Sequence, residues 1–181
     1  MKWKSNTEHM IKKANKRLWI IRRLRNLGAN QENLVEVYIL QVRCILELAV
    51  PAWQGSLTLA EKQDLERVQK TTCHIILGKD YVSYSQALRT LKIESLEQRR
   101  NKLCLKFALK AEKHEKFKNW FKPSSKKVDT RSSVKKYCEA KANHTRFYKS
   151  PINFITRMLN THYKWRYVYS YTVNYSNTVA V

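Results

Sequence analysis

The fold class is decided by the stretch NQENLVEVYILQVRCILELAVP, residues 30–51. Asn30 is suited to start a helix, because its side-chain oxygen can accept a hydrogen bond from a backbone N–H of the first turn. Pro51 predicts the other end, since the residue before a proline is pushed out of the α region. Apolar residues occur nearly all round the helix between them, which predicts a central helix buried among others. They are Leu34, Val35, Val37, Tyr38, Leu40, Val42, Ile45 and Leu46.

Start and stop signals of the same kind divide the neighbouring residues into further helices. A Ser or Thr followed three residues later by Glu or Gln predicts a capping box, and a glycine after an apolar stripe predicts a C-terminal stop. A short helix is expected around residues 85–91. We therefore predict an all-α fold, with a bundle of four to five helices over residues 1–121. The boundary signals are Ser5–Glu8 with Gly28, Thr58–Glu61 with Gly78, and Ser95–Gln98 with an end near His114 or Trp120.

The composition changes after Pro123. Residues 122–149 are polar and basic with few apolar side chains, which is typical of a linker or a mobile arm. Ser150 and Pro151 fit an N-cap and a first-turn proline for a short helix that ends at Leu159. The last residues are rich in Tyr, Val and Thr, but a lone strand has nothing to pair with, so a disordered tail is expected. The bundle is thus predicted to be followed by a basic, largely irregular C-terminal arm.

The charge balance indicates an anionic partner. The 181 residues contain 36 Lys and Arg against 14 Asp and Glu, a formal net charge of +22. Nucleic acid is the expected partner, because arrayed phosphates favour arrayed cations through counterion release. An anionic membrane surface is the alternative. A membrane span is not expected, since the most apolar stretch is interrupted by Glu36, Arg43 and Glu47, each of which is costly at mid-bilayer.

Helical spacing places part of this charge in two stripes. Residues three and four apart lie on one face of a helix, so the stripes can follow a phosphate backbone. The first helix also carries a tryptophan within its stripe, which is what base or sugar stacking requires. Two simpler interpretations stay open: both stripes are solvated outer faces, and Trp19 packs against a neighbouring helix. The candidate nucleic-acid ligands are Lys12, Lys16, Trp19 and Arg23 in the first helix, and Arg99, Lys102, Lys106, Lys110 and Lys113 in the long helix.

The residues needed for catalysis or for a cofactor are not apparent. The aspartates are Asp64, Asp80 and Asp129, and none forms a paired-carboxylate motif of the kind that holds two metal ions. The three glycines stand alone, so no phosphate-binding loop is expected. The four cysteines lie about thirty residues apart, whereas zinc sites need close ligand pairs. We therefore expect no enzyme, no metal and no cofactor, with reduced thiols, and with Cys44, Cys73 and Cys104 on apolar helical faces.

Several motifs in order resemble non-LTR, LINE-like retrotransposon reverse transcriptases, in the segment that follows the polymerase core. They are MKWKSNTEHMIKKANKRLW (1–19), IRRLRNLGAN (21–30), VYILQVRCILELAVPAW (37–53), LERVQKTTCHIILGKDYVSY (65–84) and EQRRNKLCLKFALK (97–110), with a looser match in SPINFITRMLN (150–160). The resemblance covers about residues 2–121. It implies a helical thumb that grips RNA, DNA or an RNA–DNA hybrid beside the palm and fingers of an intact reverse transcriptase. The carboxylate-bearing palm motifs of that family do not occur in this sequence, and the Tyr-rich tail has no counterpart in the pattern.

Three other functions are compatible with the same features. The chain could be a structural remnant of a decayed element, with exposed apolar surface and no function. It could bind a membrane surface or an acidic protein through its basic arm. It could also be a sequence-specific helix-turn-helix regulator, although its long helices and the lack of a short helix pair argue against that class.

Overall fold

The described part of the chain is mostly helical. The structure, a computed structural model, describes residues 3–124, 136–141 and 143–178, with side chains described as far as Lys164. Within these ranges there is no β-strand, and Pro123 and Tyr137 form an isolated antiparallel bridge. This confirms the predicted all-α class. The chain divides into two compact units, Met1–Lys102 and Leu103–Val181, and the division falls inside the long helix rather than at Pro123.

Helix α1, Lys4–Asn26, packs against two other helical stretches of the first unit, residues 31–46 and 59–77. Its core face carries Met10, Ala14, Leu18 and Ile21, which are all buried. These residues recur at spacings of four, four and three, which keeps them on one side of a helix with 3.6 residues per turn. The opposite side of α1 is therefore left to solvent along the whole helix.

The N-terminus of α1 differs from the predicted capping box of Ser5 and Glu8. The helix begins at Lys4, with Trp3 as the N-cap residue and no side-chain cap. The backbone N–H and the hydroxyl of Thr7 both donate to the Trp3 carbonyl, at 2.9 and 3.1 Å. Because these bonds extend the helix past Ser5, that serine lies within the first turn and cannot cap it. Glu8 instead pairs with Lys4, whose Nζ lies 3.9 Å from Oε1.

The C-terminus of α1 confirms the predicted stop at Gly28. Gly28 has a φ of 86°, in the left-handed region that glycine adopts without a steric penalty. Its N–H donates to Arg25 O at 3.0 Å, and the N–H of Ala29 donates to Leu24 O at 3.1 Å. This pair of bonds is a Schellman motif, which satisfies carbonyls that the helix end would otherwise leave open.

Asn30 caps the predicted central helix as expected. Its side-chain oxygen accepts a hydrogen bond from Asn33 N at 2.8 Å. This helix is not a regular α-helix: α2, Gln31–Val37, continues into a π-helix, Tyr38–Arg43, and then into α3, Cys44–Leu46. Its buried residues are Leu34, Tyr38, Val42 and Leu46, every fourth position. On a regular α-helix a four-residue spacing drifts by about 40° per step. The wider turn of the π-helix, with its i→i+5 bonds, keeps all four on one face.

The other face of this helical stretch is open, so the expectation of burial all round is wrong. Leu40 is 60% and Leu48 69% exposed. Leu46 ends the helix five residues before Pro51, and Ala49 adopts a φ of 52°. A short helix, α4, Val50–Trp53, follows with the proline in its first turn. The apolar composition predicted burial correctly for one face only, because helices cover this stretch from one side.

Two of the next three α-helices, the first and the third, begin at the predicted caps. Thr58 and Glu61 form both bonds of the capping box at the start of α5, Leu59–Leu77, and Gly78 ends that helix. Helix α6, Tyr84–Thr90, is capped by Ser83. Helix α7, Leu96–Lys113, follows Ser95, whose hydroxyl accepts from Gln98 N at 3.3 Å. The last residue of α7, Lys113, agrees with the first of the two predicted ends, His114, and not with Trp120.

A buried hydrogen-bond chain ties these helices together. Gln69 in α5 is fully buried, and its Oε1 accepts from the Tyr38 hydroxyl at 2.7 Å. Its Nε2 donates to the Glu94 carbonyl at 2.8 Å. Gln69 thus satisfies the hydroxyl of Tyr38, which would otherwise lie unpaired in the apolar interior, and it also binds the backbone of the turn before α7.

The second unit contains α8, Glu115–Lys118, α9, Thr145–Tyr148, and α10, Pro151–Thr178. Its core also includes part of the predicted arm, because Tyr137 is buried. The backbone of Tyr137 exchanges two hydrogen bonds of 3.0 Å with the amide of Asn160. Residues 136–141 are therefore held against α10, while 125–135 and 142 lie outside the described residues. The core cluster comprises Ala108, Ala111, Phe121, Tyr137, Ile155 and Leu159.

Helix α10 starts at Pro151 as predicted but continues past Leu159 to Thr178. The Tyr, Val and Thr residues after 162 favour strands, but a strand needs a partner to satisfy its backbone. A helix satisfies its backbone within itself and gains one hydrogen bond for each added residue. The expected disorder of the tail is thus replaced by helix as far as Thr178, and 179–181 lie outside the described residues.

Two of the four cysteines are buried. Cys73 and Cys104 lie in the interior as expected, whereas Cys44 and Cys138 are exposed. Cys44 was predicted on a core face, but it lies on the open face of α3, where its thiol donates to Leu40 O at 3.0 Å. Burial raises the pKa of the Cys73 thiol to about 11.

Thiol labelling should therefore proceed in two phases. At neutral pH a disulfide reagent should modify Cys44 and Cys138 quickly, because the reactive species is an accessible thiolate. Cys73 and Cys104 should react only when urea opens the structure. Mass spectrometry of labelled peptides would identify the sites, and rapid native labelling of Cys73 would contradict this arrangement.

Candidate nucleic-acid interface

The four candidate residues of α1 form one exposed line. Lys12, Lys16, Trp19 and Arg23 are spaced by four, three and four residues, and all four are exposed. With about 100° of rotation per residue, they lie nearly opposite the buried face of the helix. Among the described side chains, no carboxylate forms an ion pair with Lys12, Lys16 or Arg23. We call this set the α1 stripe.

Trp19 does not pack against a neighbouring helix, because its side chain is 62% exposed. A tryptophan in this position loses most of the free energy that burial of its ring would contribute. The ring is flanked by Lys16 and Arg23, one helical turn to either side. The interpretation of Trp19 as a core residue is therefore wrong, and its ring is available to a ligand.

An open groove of about 720 Å³ lies between α1 and α5, beside the α1 stripe. Lys12 and Lys16 form one wall, and the opposite wall contributes Arg67. The carboxylates of Glu8 and Asp64 also line the groove. Asp64 Oδ1 lies 3.0 Å from Arg67 Nη1 and forms an ion pair with it. Sequence reasoning missed Arg67. It directly precedes buried Val68 and lies five residues before buried Thr72, so its position did not show which side of α5 it occupies, and the partner helix was needed to decide.

The candidate stripe of α7 is not uniform. Arg99 Nε lies 3.2 Å from Glu47 Oε1, and Lys102 pairs with Glu94. The hydrogen bond from Lys102 holds the pKa of the Glu94 carboxyl below its ordinary value. These two cations are therefore partly neutralised in the first unit. Helical spacing could not reveal this, because Glu47 is 52 residues from Arg99 and reaches it only through the fold.

The other three residues of that stripe lie in the second unit. Lys106, Lys110 and Lys113 are exposed, and no acidic side chain in the described part of the chain pairs with them. Glu112, the nearest acid in sequence, is directed elsewhere. It accepts hydrogen bonds from Lys136 Nζ at 2.7 Å, from Tyr163 Oη at 2.6 Å and from the Tyr137 hydroxyl. We call Lys106, Lys110 and Lys113 the α7 stripe.

The chemistry of both stripes is electrostatic. Lysine ammonium groups act as point charges toward phosphate, so they contribute affinity and no base-specific recognition. Within the described residues, no three His, Cys, Asp or Glu side chains converge on a position for a metal ion. None of the described helices has the length and hydropathy required to cross a lipid bilayer.

Comparison with known proteins returned no relative: no protein-family model, curated protein or solved structure matches the chain. The resemblance to reverse transcriptases therefore rests on the motifs quoted above.

Proposed function

We propose that this chain is the nucleic-acid-binding thumb and C-terminal segment of a non-LTR retrotransposon reverse transcriptase. In this proposal residues 1–121 are a thumb-like bundle of four to five helices, and the basic residues after them extend the binding surface. The ligand is RNA, DNA or an RNA–DNA hybrid, held through its phosphates. The palm and fingers that carry the catalytic carboxylates are supplied by the rest of an intact reverse transcriptase, and this segment does not catalyse alone.

The observation that carries the proposal is the α1 stripe. A solvated helix face normally mixes acids with bases, because like charges one turn apart repel by a few tenths of a kcal/mol. This stripe combines three cations with an exposed tryptophan on the side of α1 opposite the core. A phosphate backbone would relieve the repulsion, and a base or sugar would cover the ring. The choice of family in this proposal comes from the order of the sequence motifs, which resembles that of non-LTR reverse transcriptases.

Binding of the full chain to an RNA–DNA hybrid should fall steeply with salt. About five phosphate contacts predict a slope near −4 in a plot of log affinity against log salt concentration. One variant replaces the cations of the α1 stripe, Lys12, Lys16 and Arg23, with glutamine. A second replaces those of the α7 stripe, Lys106, Lys110 and Lys113. In each variant the slope should be less steep than that of the unmodified chain by roughly 2 to 3. Fluorescence anisotropy over several salt concentrations would measure this.

The matched control removes three exposed charges outside both stripes, at Lys70, Lys79 and Arg89. Its slope should stay close to that of the unmodified chain. If all three variants lose the same amount of affinity for the hybrid, the stripes are ordinary basic surface. An affinity that does not change with salt concentration would contradict phosphate binding altogether. Stronger competition by anionic vesicles than by RNA would favour a membrane-surface binder.

The open apolar face at Leu40 and Leu48 favours a second candidate, a structural remnant without function. Exposed apolar patches of this kind often belong to an interface that the isolated chain lacks. A remnant should self-associate and melt without cooperativity. A monomer that melts in a cooperative transition, measured by analytical ultracentrifugation and calorimetry, would exclude it.

A further inference from the structure

A row of three aromatic rings lies where α7 gives way to α8. The ring centroids of His114 and Phe117 are 5.1 Å apart, and those of Phe117 and Trp120 are 4.7 Å apart. Phe117 lies in the middle and is half-buried, whereas the two outer residues are exposed, Trp120 by 37%. Rings at such separations are in van der Waals contact, so the three residues form one continuous aromatic surface.

Each ring of this row is held in place by a separate contact. His114 is the N-cap of α8, and its Nδ1 accepts from Lys116 N at 3.2 Å. Phe117 packs against the core cluster of the second unit. The Trp120 ring packs on the Phe117 ring, 4.7 Å away between centroids, and the backbone N–H of Trp120 donates to Phe117 O at 2.9 Å. A ligand that stacks on these rings would therefore meet a prearranged surface, which lowers the entropy cost of binding.

The charge around the row is strongly positive. Residues 113–122, which contain the row, carry four exposed lysines and one acid, Glu115. The α7 stripe approaches from the N-terminal side, and its last member directly precedes His114 in the chain. The row and the four lysines of its own segment therefore form a basic and aromatic surface of the second unit, which follows the α7 stripe in the chain. The four lysines are Lys113, Lys116, Lys118 and Lys122.

We propose that this surface binds single-stranded nucleic acid by stacking unpaired bases on Trp120 and His114. The faces of bases inside a duplex are covered by their neighbours, so only an unpaired strand can offer them. Sequence-tolerant single-strand sites combine aromatic side chains with a track of cations in this way. The inference rests on the proposed function for its class of ligand, nucleic acid. It does not rest on the same residues, because Trp120 and His114 are outside both stripes.

The same composition could suit a lipid surface, but the exposure of the rings favours nucleic acid. A helix that lies in a membrane interface presents large apolar side chains that enter the acyl region. Here Phe117 is anchored in the core and His114 is polar, so Trp120, which is 37% exposed, is the large apolar side chain of the row that remains to insert. Little apolar volume is left to insert, whereas stacking requires only an accessible ring.

The test compares a short oligothymidylate with an abasic strand of equal length and charge. The full chain should bind the oligothymidylate roughly tenfold more tightly, because base–aromatic stacking contributes beyond the phosphates. Trp120→Leu combined with His114→Asn should reduce that ratio to about one. Asparagine at 114 preserves an N-cap while it removes the ring. Trp120→Phe should retain most of the preference, since it keeps an aromatic face.

Phe147→Leu is the matched control and should leave the ratio unchanged, because it removes a ring that is 50% exposed but lies outside the row and both stripes. Should Trp120→Leu fail to fold by circular dichroism, His114→Asn alone should still lower the ratio several-fold. An unchanged ratio in the His114→Asn chain, a loss of preference in Phe147→Leu, or equal binding of both strands by the unmodified chain would overturn the inference. Binding to the RNA–DNA hybrid, measured in parallel, separates this inference from the proposed function. If hybrid binding falls steeply with salt but the single strands show no base preference, the proposed function stands and this inference fails.

Discussion

Replacing Gln69 with leucine is expected to lower the stability of the α5 region by about 3 kcal/mol. The leucine would fit a buried position but would leave the Tyr38 hydroxyl and the Glu94 carbonyl without the partners seen at 2.7 and 2.8 Å. The buried Tyr38 hydroxyl would carry the full cost of its desolvation, about 1–3 kcal/mol, and the part-buried Glu94 carbonyl would lose a hydrogen bond that contributes about 1 kcal/mol. Hydrogen exchange of the α5 amides, followed by mass spectrometry, would measure the change.

The control is Gln63→Leu, the same substitution at an exposed position of the same helix. Its effect should stay within about 0.5 kcal/mol. If both variants exchange alike, the contacts of Gln69 contribute no more to stability than a solvated surface glutamine does, and the argument for a buried polar chain fails.

Replacing Glu112 with glutamine should destabilise the second unit by about 2 kcal/mol at neutral pH. The carboxylate accepts hydrogen bonds from Lys136, Tyr137 and Tyr163, and its side chain is only 13% exposed. Glutamine would offer one oxygen in place of two and would present an amide donor to these donors. Urea unfolding followed by near-UV circular dichroism would report the packing of the two tyrosine rings.

The same carboxylate predicts a dependence on pH. Burial by itself would raise the pKa of Glu112, but the hydrogen bonds it accepts outweigh burial and hold the pKa below its ordinary value. A depressed carboxyl pKa stabilises the folded state above the unfolded pKa, near 4.3, and the contribution is lost as the pH falls through the folded pKa.

The stability of the unmodified chain should therefore decline on acidification below about pH 4, and the Glu112→Gln chain should lose this part of the decline. Glu115→Gln, an exposed acid three residues away, is the control and should behave like the unmodified chain. Identical acid profiles for all three chains would rule out the assigned role of Glu112.

Local signals in the sequence predicted the helices well where the cause is itself local. Asn30, Thr58 with Glu61, and Gly28 act on backbone groups three or four residues away, so a short stretch contains the whole interaction. The Ser5 box was wrong because Thr7 bonds to Trp3 and thereby extends the helix. The long α10 was missed because residue preferences for strands were given more weight than the missing partner strand.

The candidate interface was harder to predict, since charge depends on neighbours that are remote in sequence. Periodicity placed Arg99 and Lys102 beside three other lysines, but Glu47 and Glu94 reach them only in the folded chain. It also left Trp19 ambiguous, because either face of α1 could have met a partner. The aromatic row at His114 was not predicted at all: its rings come together only because α7 stops at Lys113 and a new turn begins.

The π-helix at Tyr38–Arg43 has a consequence for the length of the chain. Deleting exposed Leu40 would bring the buried residues Leu34, Tyr38, Val42 and Leu46 to spacings of four, three and four, which is the pattern of a regular α-helix. The present segment therefore holds one residue more than its buried face requires. A widened turn absorbs such a surplus without rotating the helix that follows, so two chains that differ here by one residue can share the same core. An alignment that scores every gap within a helix as a defect would separate such chains, although their packing is the same.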